Sequence, residues 1–297
     1  AGGLGVACKG LTEELLMDGI EVLFVLPRKQ PISGRGTFLF ATNDAPTPSH
    51  VEIMHRVSAY QHAHDFLEVF LPDGRRIRYG RTILEEVYRY ARSARSIATR
   101  ELFDLIHAHD WTSYLAGLSA KEVSGKPLVL HVHATSFDQA GGLHVDPAVY
   151  AIERKAFHAC DTIIAVSNYT RDIVVERYGV PRDKVEVVHN GIHEHTPPRL
   201  GEVLGEYKRR GVKIIVYHGR ITIQKGVDYF VRAARRVVDQ NTQVLFVISG
   251  SGDMEGQIMH QVGALGLSEY MLFPGALWGD DRDRLYQAAD LLVMPSV

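Results

Sequence analysis

The chain is 297 residues long and 45% hydrophobic, enough for a substantial core and, on the usual size prior, about two domains. Its 33 Lys and Arg against 35 Asp and Glu leave a formal charge of -2, which gives no electrostatic footprint for nucleic acid or an anionic membrane and makes a small molecule the default ligand. Cys8 and Cys160 are too few for a disulfide framework, and no apolar run approaches the roughly 20 residues of a membrane-spanning helix; the expectation is a soluble, cytoplasmic protein.

In chain order, Ala1-Gly2-Gly3-Leu4-Gly5 reads as a glycine loop ahead of a helix over Val6 to Asp18, with no strand before it. Glu21 to Leu26 reads as a buried strand. The stretch 28–80 breaks the pattern with Pro, Gly and Thr clusters, and its Pro72-Asp73-Gly74 turn fits a hairpin, so it is expected to be an insertion with small β elements. Then follow a long helix over Thr82 to Glu101, the strand Leu105 to Ala108, the helix Thr112 to Val123 and the strand Leu128 to His133. The helix Pro147 to Ala159, the strand Thr162 to Val166, the helix Asn168 to Tyr178 and the strand Lys184 to Val188 continue the series.

A segment with Pro197-Pro198 and a short polar helix reads as a hinge, after which the alternation restarts at the strand Lys213 to Tyr217 and the amphipathic helix Val227 to Val238. Val244 to Ile248 is the next strand, followed by a helix over Met254 to Leu265, the strand Met271 to Phe273, the helix Asp281 to Ala289 and an apolar strand over Asp290 to Pro295. Strands separated by helix-length segments imply right-handed crossovers and parallel sheets. The fold class expected is α/β, with two Rossmann-like domains facing one another across a cleft. The first covers 1–195, lacks its first strand and carries the insertion 28–80; a hinge linker covers 196–212; the second covers 213–297. Both ends read as cut, because a doubly wound domain needs further elements to cover its sheet.

The most informative stretch is His218-Gly219-Arg220-Ile221-Thr222-Ile223-Gln224-Lys225-Gly226, which leaves a strand and opens a helix. In a parallel sheet ligands sit outside the carboxyl ends of strands, where helix N-termini present free N–H groups to anions. Arg220 can fork onto two phosphate oxygens and Lys225 supplies a compact charge, so the turn suits a diphosphate. A surface turn with two solvated cations is the plainer reading of the same residues.

A second cluster is His107, His109, His131 and His133. Alternation puts each pair on one face of its strand, and neighbouring strand ends would gather the four into a metal site of a metal-dependent hydrolase. Against it, no Asp or Glu sits in a compact ligand motif with them.

Taken together, Gly2-Gly3-Leu4-Gly5, His107-Ala108-His109-Asp110-Trp111, His131-Val132-His133, Val166-Ser167-Asn168, His189-Asn190-Gly191 and Gly219-Arg220 with Gln224-Lys225-Gly226 resemble the retaining glycosyltransferases of the two-domain GT-B fold. The glycogen or starch synthase-like members and their group 1 relatives are the most similar. The resemblance implies a nucleotide-sugar donor, ADP-glucose or UDP-glucose, and an α-glucan acceptor, or else a small sugar, sugar-phosphate or lipid acceptor. It implies no cofactor and no metal. Arg220 and Lys225 would neutralise the leaving diphosphate, and His133 would hydrogen-bond the transferred sugar. Gly2, Gly3, Gly5, Asn190, Gly191, Gly219, Gly250 and Gly252 would line the donor site, while His109, Asp110 and Asp138 would lie near sugar or acceptor. Each has a plainer role: a strand-end histidine for His133, a helix N-cap for Asp110, a loop cap for Asp138, an Asn-Gly turn for Asn190 and Gly191. The family also carries two glutamates in an E-x7-E arrangement just beyond the strand at Asp290 to Pro295. The chain ends at Val297, before either, so by itself it is expected to be inactive or nearly so, and a non-catalytic nucleotide-sugar-binding fragment is the alternative of another class.

Overall fold

The computed structural model describes residues 3–27, 37–40, 66–70, 76–139, 145–192 and 198–296. The chain forms two compact units, Ala1–His193 and Glu194–Val297. Among the described residues no helix is long and apolar enough to cross a membrane.

The first unit opens with α1 (Gly3–Met17), β1 (Leu23–Leu26) and β2 (Thr37–Phe40). Helix α1 starts at Gly3, so the expected glycine loop is a helical first turn from Gly3 onward; Gly2 lies outside the described residues. Glycine is permissive rather than directive, and helical neighbours decide its conformation. Strand β2 falls inside the presumed insertion yet pairs in parallel with β1, Leu23 opposite Thr37. Strands β3 (Phe66–Phe70) and β4 (Arg76–Thr82) pair antiparallel, as a hairpin requires; its proposed turn at 72–74 lies outside the described residues.

Helix α2 (Ile83–Ala98) is started by a capping box: Thr82 Oγ1 accepts from the Glu85 N–H, and the Glu85 carboxylate accepts from the Thr82 N–H. Then come β5 (Ile106–His109), α3 (Trp111–Ser124), β6 (Leu128–Val132), the short α4 (Ser136–Gln139), α5 (Pro147–Ala159), β7 (Thr162–Ala165), α6 (Asn168–Tyr178) and β8 (Val185–Val187). Helix α5 begins at Pro147 behind an Asp146 cap, and α6 runs from the Ser167 cap to Gly179 in the left-handed region, φ 70°. Strands β5 to β8 form one parallel sheet in sequence order, with His109 opposite His131. Alternation sends Ile106, Ala108, Leu128, Leu130 and Val132 into the core with Trp111, Tyr114, Phe157 and Tyr178, leaving the histidines of β5 and β6 on the other face.

The second unit carries α7 (Glu202–Arg209), β9 (Lys213–His218), α8 (Val227–Val238), β10 (Val244–Ser249), α9 (Glu255–Ala264), β11 (Met271–Gly275), α10 (Asp280–Ala288) and β12 (Leu291–Leu292). All four strands are parallel, in the order β11-β10-β9-β12. Counted from the first strand of this unit the order is 3-2-1-4, the Rossmann arrangement, whose switch point lies between β9 and β12. Every residue of β10 is buried, so it is the central strand. Phe246 and Ile248 face the Phe230, Val231 and Ile258 side, built by α8 and α9. Leu245 and Val247 face the opposite side, built by Leu285 and Ala288 of α10 with Leu204 and Tyr207 of α7. Helix α7, in the segment read as a hinge, thus packs into this unit. The apolar run from Asp290 shortens to a two-residue strand, whose Leu291 and Leu292 stay partly exposed. Its start is pinned by the Asp290 carboxylate, which accepts the Ile214 N–H at 2.9 Å and pairs with Lys208 at 3.0 Å.

At the carboxyl end of this sheet two loops lie backbone against backbone. The Gly219 N–H donates to Ser249 O, the Ile221 N–H to Ser251 O and the Met254 N–H to Ile221 O, at 2.9, 3.0 and 3.1 Å. A Cβ on Gly250, φ 153°, would stand 1.8 Å from Gly219 O, and one on Gly252 2.1 Å from Ile221 O. Neither carbonyl can withdraw without breaking the zipper. Gly252→Ala is therefore expected to lower the unfolding free energy by about 1–3 kcal/mol, read as an earlier urea midpoint; an unchanged midpoint would refute the backbone contact.

Candidate active site

The carboxyl ends of β5 and β6 meet at Asp110. This residue holds φ 55°, the one positive φ at a non-glycine among the described residues, and is 1% exposed. Its N–H donates to His131 O at 3.0 Å. It occupies the N-cap position of α3 but makes no side-chain cap bond, so the plain capping role is not realised. Its Oδ1 instead accepts the N–H groups of His133 and Ala134, at 2.8 and 3.3 Å, binding the turn after β6 to the turn after β5. Its Oδ2 is buried without a hydrogen-bond partner among the described residues. Burial pushes its carboxyl up to about 7, against the lowering effect of the two N–H donors.

The four histidines do come together. His109 Nδ1 lies 3.1 Å from His133 Nε2, and the rings of His107, His109, His131 and His133 stack with centroids 4.3 to 5.4 Å apart. They do so without leaving their sheet positions. Burial holds all four below the usual imidazole range, with His109 at about 2, His131 at about 3 and His133 at about 4; neighbouring imidazoles add to the effect at these three. Two ring nitrogens of His131 and Nε2 of His107 have no hydrogen-bond partner among the described residues. Cys8 of α1 stands beside this cluster, its Sγ within 4.8 Å of ligand atoms of His109 and His133. Sequence reasoning passed over Cys8, since nothing in the local pattern ties a helix to a strand end a hundred residues away.

His133 lies one residue beyond β6, at the start of a turn that is held from below. Asp138 Oδ2 accepts the Thr135 N–H at 2.6 Å and its hydroxyl at 2.8 Å, which is the loop-capping role. Glu153 of α5 accepts the Ser136 N–H at 3.0 Å, the Ser136 hydroxyl at 2.7 Å and the Tyr178 hydroxyl at 2.5 Å. Burial pushes its carboxyl up to about 7, while the Tyr178 and Ser136 hydrogen bonds pull the other way. Glu153 was missed from the sequence, although a signal exists. Val149, Ile152, Ala156 and Phe157 define the buried stripe of α5, and Glu153 falls inside it.

In the second unit, the carboxyl end of β9 leads through Gly219 and Arg220 into a 3-10 turn, Ile223–Lys225, and then α8. The Tyr217 hydroxyl donates to Arg220 O at 2.6 Å and fixes the turn. Arg220 is exposed, its Nη2 3.4 Å from Gln224 Oε1. Lys225 is half-buried, and its ammonium is lowered by that burial and by the Arg220 charge. Two cations thus repel one another at a helix N-terminus, an arrangement that an anion relieves. Gly226, φ 62°, opens α8, and a Cβ there would meet Pro295 O at 2.1 Å. The turn therefore touches the segment after β12, on the β9–β12 side of the sheet. Gly250 and Gly252 belong to the neighbouring loop, and their lack of a side chain serves the approach to Gly219 and Ile221, where the sequence suggested approach to a ligand.

The remaining expected residues stand apart. Gly3 and Gly5 lie in the first turn of α1. Asn190 and Gly191 are exposed beyond β8, two strands from β6, and a Cβ on Gly191 would meet nothing within 4 Å.

Residues 1–196 match the model of Glycosyltransferase Family 4, and residues 206–297 that of Glycosyl transferases group 1. The chain belongs to glycosyltransferase family 4. An uncharacterized glycosyltransferase of Methanocaldococcus jannaschii is 30% identical to this family 4 chain over 312 residues, covering 100% of it and 71% of the relative. Sucrose-phosphate synthase of Thermosynechococcus elongatus superposes with a TM-score of 0.70 at 16% identity, over 100% of this chain and 70% of the other. Anabaena HepE, solved with UDP and glucose, superposes at 0.57 with 19% identity, over 71% and 56%. These likenesses show the GT-B fold. The chain spans 48% and 54% of the length of two other relatives, the D-inositol 3-phosphate glycosyltransferase of Salinispora arenicola and the α-maltose-1-phosphate synthase of Mycolicibacterium smegmatis.

The buried groups fix a pH response. His109, His131 and His133 have folded values below the ordinary 6.5, so the stability they contribute is present above pH 6.5 and is lost as pH falls toward those values. Asp110 and Glu153, raised to about 7, act the other way: their contribution is present below the ordinary carboxylate range and is lost as pH rises through 7. With His107 on the same side, imidazoles outnumber carboxyls, and the melting temperature should fall from pH 6.5 to 4.5, less steeply in His131→Phe. Equal slopes in thermal melts of the two proteins would sink this account.

Proposed function

We propose that the protein is a retaining hexosyltransferase that moves glucose from UDP-glucose or ADP-glucose to a small phosphate-bearing acceptor. The carrying observation is the Arg220–Lys225 pair beside the start of α8, on the switch-point side of a 3-2-1-4 sheet. When the bond from the sugar C1 to the diphosphate oxygen breaks, the electron pair goes to the phosphate, and two preorganised cations stabilise the charge that develops. The acceptor hydroxyl oxygen bonds to C1 on the same face and gives its proton to the departing phosphate, so configuration is retained without a side-chain base. His133, held neutral, offers one ring N–H to a sugar hydroxyl, while His109, Asp110 and Asp138 shape its surroundings. The first unit would serve the acceptor and the second the donor, with the hinge reduced from 196–212 to the stretch ahead of α7, which packs into the second unit, and Gly219, Gly250 and Gly252 near the nucleotide. Gly2, Gly3, Gly5, Asn190 and Gly191 complete the donor side in this reading.

Relatives support a phosphate-bearing acceptor by their names: D-inositol 3-phosphate glycosyltransferases recur among them, and maltose 1-phosphate and sucrose phosphate are named as products of two others. HepE supports UDP-glucose as donor. Elongation of an α-glucan is the second reading, favoured by the motif series from Gly2 to Gly226. A cytoplasmic setting fits the composition.

Calorimetric titration with UDP and ADP, followed by transfer assays with each glucose donor, tests the assignment. In a complete transferase that also carries the glutamate pair, Arg220→Ala and Lys225→Ala should each lower kcat/KM by roughly 100-fold or more, with little change in melting temperature. Transfer surviving both changes would refute the diphosphate clamp.

A further inference from the structure

We propose that His107, His109 and His131 bind one borderline divalent transition ion, with Zn2+ the best match, which pins the ends of β5 and β6 together and sets the tautomer of His133. The effect on His133 rests on the sugar-contact reading above; the ion site itself does not.

Three observations carry it. One ring nitrogen of each of the three histidines lies within 4.8 Å of the others. Zinc–imidazole bonds of about 2.0–2.1 Å put tetrahedral ligand nitrogens roughly 3.4 Å apart, so closing the site turns the stacked rings out of parallel about their Cβ–Cγ bonds, with the strands left in place. His131 is 6% exposed, and both its nitrogens, like Nε2 of His107, are buried without hydrogen-bond partners among the described residues. Buried polar atoms are nearly always satisfied, and several orphans in one place call for an absent partner. Third, the donor set is all imidazole in its neutral form, which suits zinc, copper and nickel rather than magnesium or calcium.

The hydrogen bond from His109 to His133 then gains a direction. A metal-bound histidine usually donates its second ring N–H to a fixed acceptor. With the ion on Nε2 of His109, Nδ1 carries the proton and donates to His133 Nε2, 3.1 Å away. His133 must then keep its own proton on Nδ1, and a sugar hydroxyl would find a donor there. A rival group, Cys8 with His109 and His133, is also within 4.8 Å. It is less favourable, since it would leave the orphaned nitrogens of His107 and His131 unanswered.

Co2+ is the probe. The full chain, stripped with chelator and dialysed, should develop visible ligand-field bands that saturate at one equivalent and vanish on adding Zn2+. His107→Phe and His131→Phe should each weaken binding roughly tenfold or more, as loss of one of three ligands requires, while Cys8→Ser and His133→Ala should keep the bands. Absence of bands at stoichiometric Co2+ overturns the proposal. A sulfur-to-cobalt charge-transfer band that disappears in Cys8→Ser overturns it in favour of the rival group. Should the phenylalanine variants not fold, the wild-type stoichiometry and the Cys8→Ser and His133→Ala spectra decide. UDP binding by the stripped protein keeps the two ideas separate: it should persist whether or not the ion binds.

Discussion

A single carboxylate organises the first unit around its candidate site. Asp110 sits in a backbone conformation that costs most residues on the order of 1 kcal/mol or more, and its side chain, buried at 1% exposure, binds the main chain on both sides of the His133 turn. The two hydrogen bonds and the donated bond to His131 O offset that cost and make the ends of β5 and β6 one rigid corner. His133 is consequently oriented by backbone bonds at its own N–H, which tolerate less drift than side-chain contacts. Trp111 and Tyr114, fully buried just beyond, tie the start of α3 into the core, and the Tyr114 hydroxyl donates to His131 O at 3.3 Å.

The second unit reaches a comparable rigidity without charge. Its two loops at the carboxyl end of the sheet are locked by main-chain hydrogen bonds at a distance that only glycine permits. Arg220 and Lys225 project from this stiff base, so their mutual repulsion cannot relax by moving the turn. Preorganised charge of this kind acts on a developing anion without reorganisation at the moment of reaction.

How much of this could be read in the sequence depended on whether the signal was local. Pro147–Ala159 and Asn168–Tyr178 match the helices read from sequence residue for residue, because Asp146 with Pro147, and Ser167 with Gly179, mark their ends within a few positions. The βα alternation of both units was legible for the same reason. What escaped were pairings across long separations: the parallel contact of β1 with β2, the arrival of Cys8 beside β5, and the choice of Asp110 to bridge strands rather than cap α3. The start of α1 was misread because three glycines suggest a loop whenever the partner that would order them is out of sight. The basic turn was visible because Arg220 and Lys225 lie within six consecutive residues, whereas the reason for Gly250 and Gly252 lies in another loop thirty residues earlier in the chain.

Glu153, Ser136 and Tyr178 have a bearing on how such sequences diverge. One carboxylate satisfies two hydroxyls and a main-chain N–H in a buried setting. Replacing Glu153 alone by a leucine would strand the Ser136 N–H and leave the Ser136 and Tyr178 hydroxyls only one another, and alanine and phenylalanine at those partners would still leave the main-chain N–H at 136 unanswered. Each partial replacement is worse than the intact trio, so descendants should carry it whole or rebuild the turn at 136 along with it. Among related chains, identity at these three positions should rise and fall together, as a record of lineage rather than of substrate.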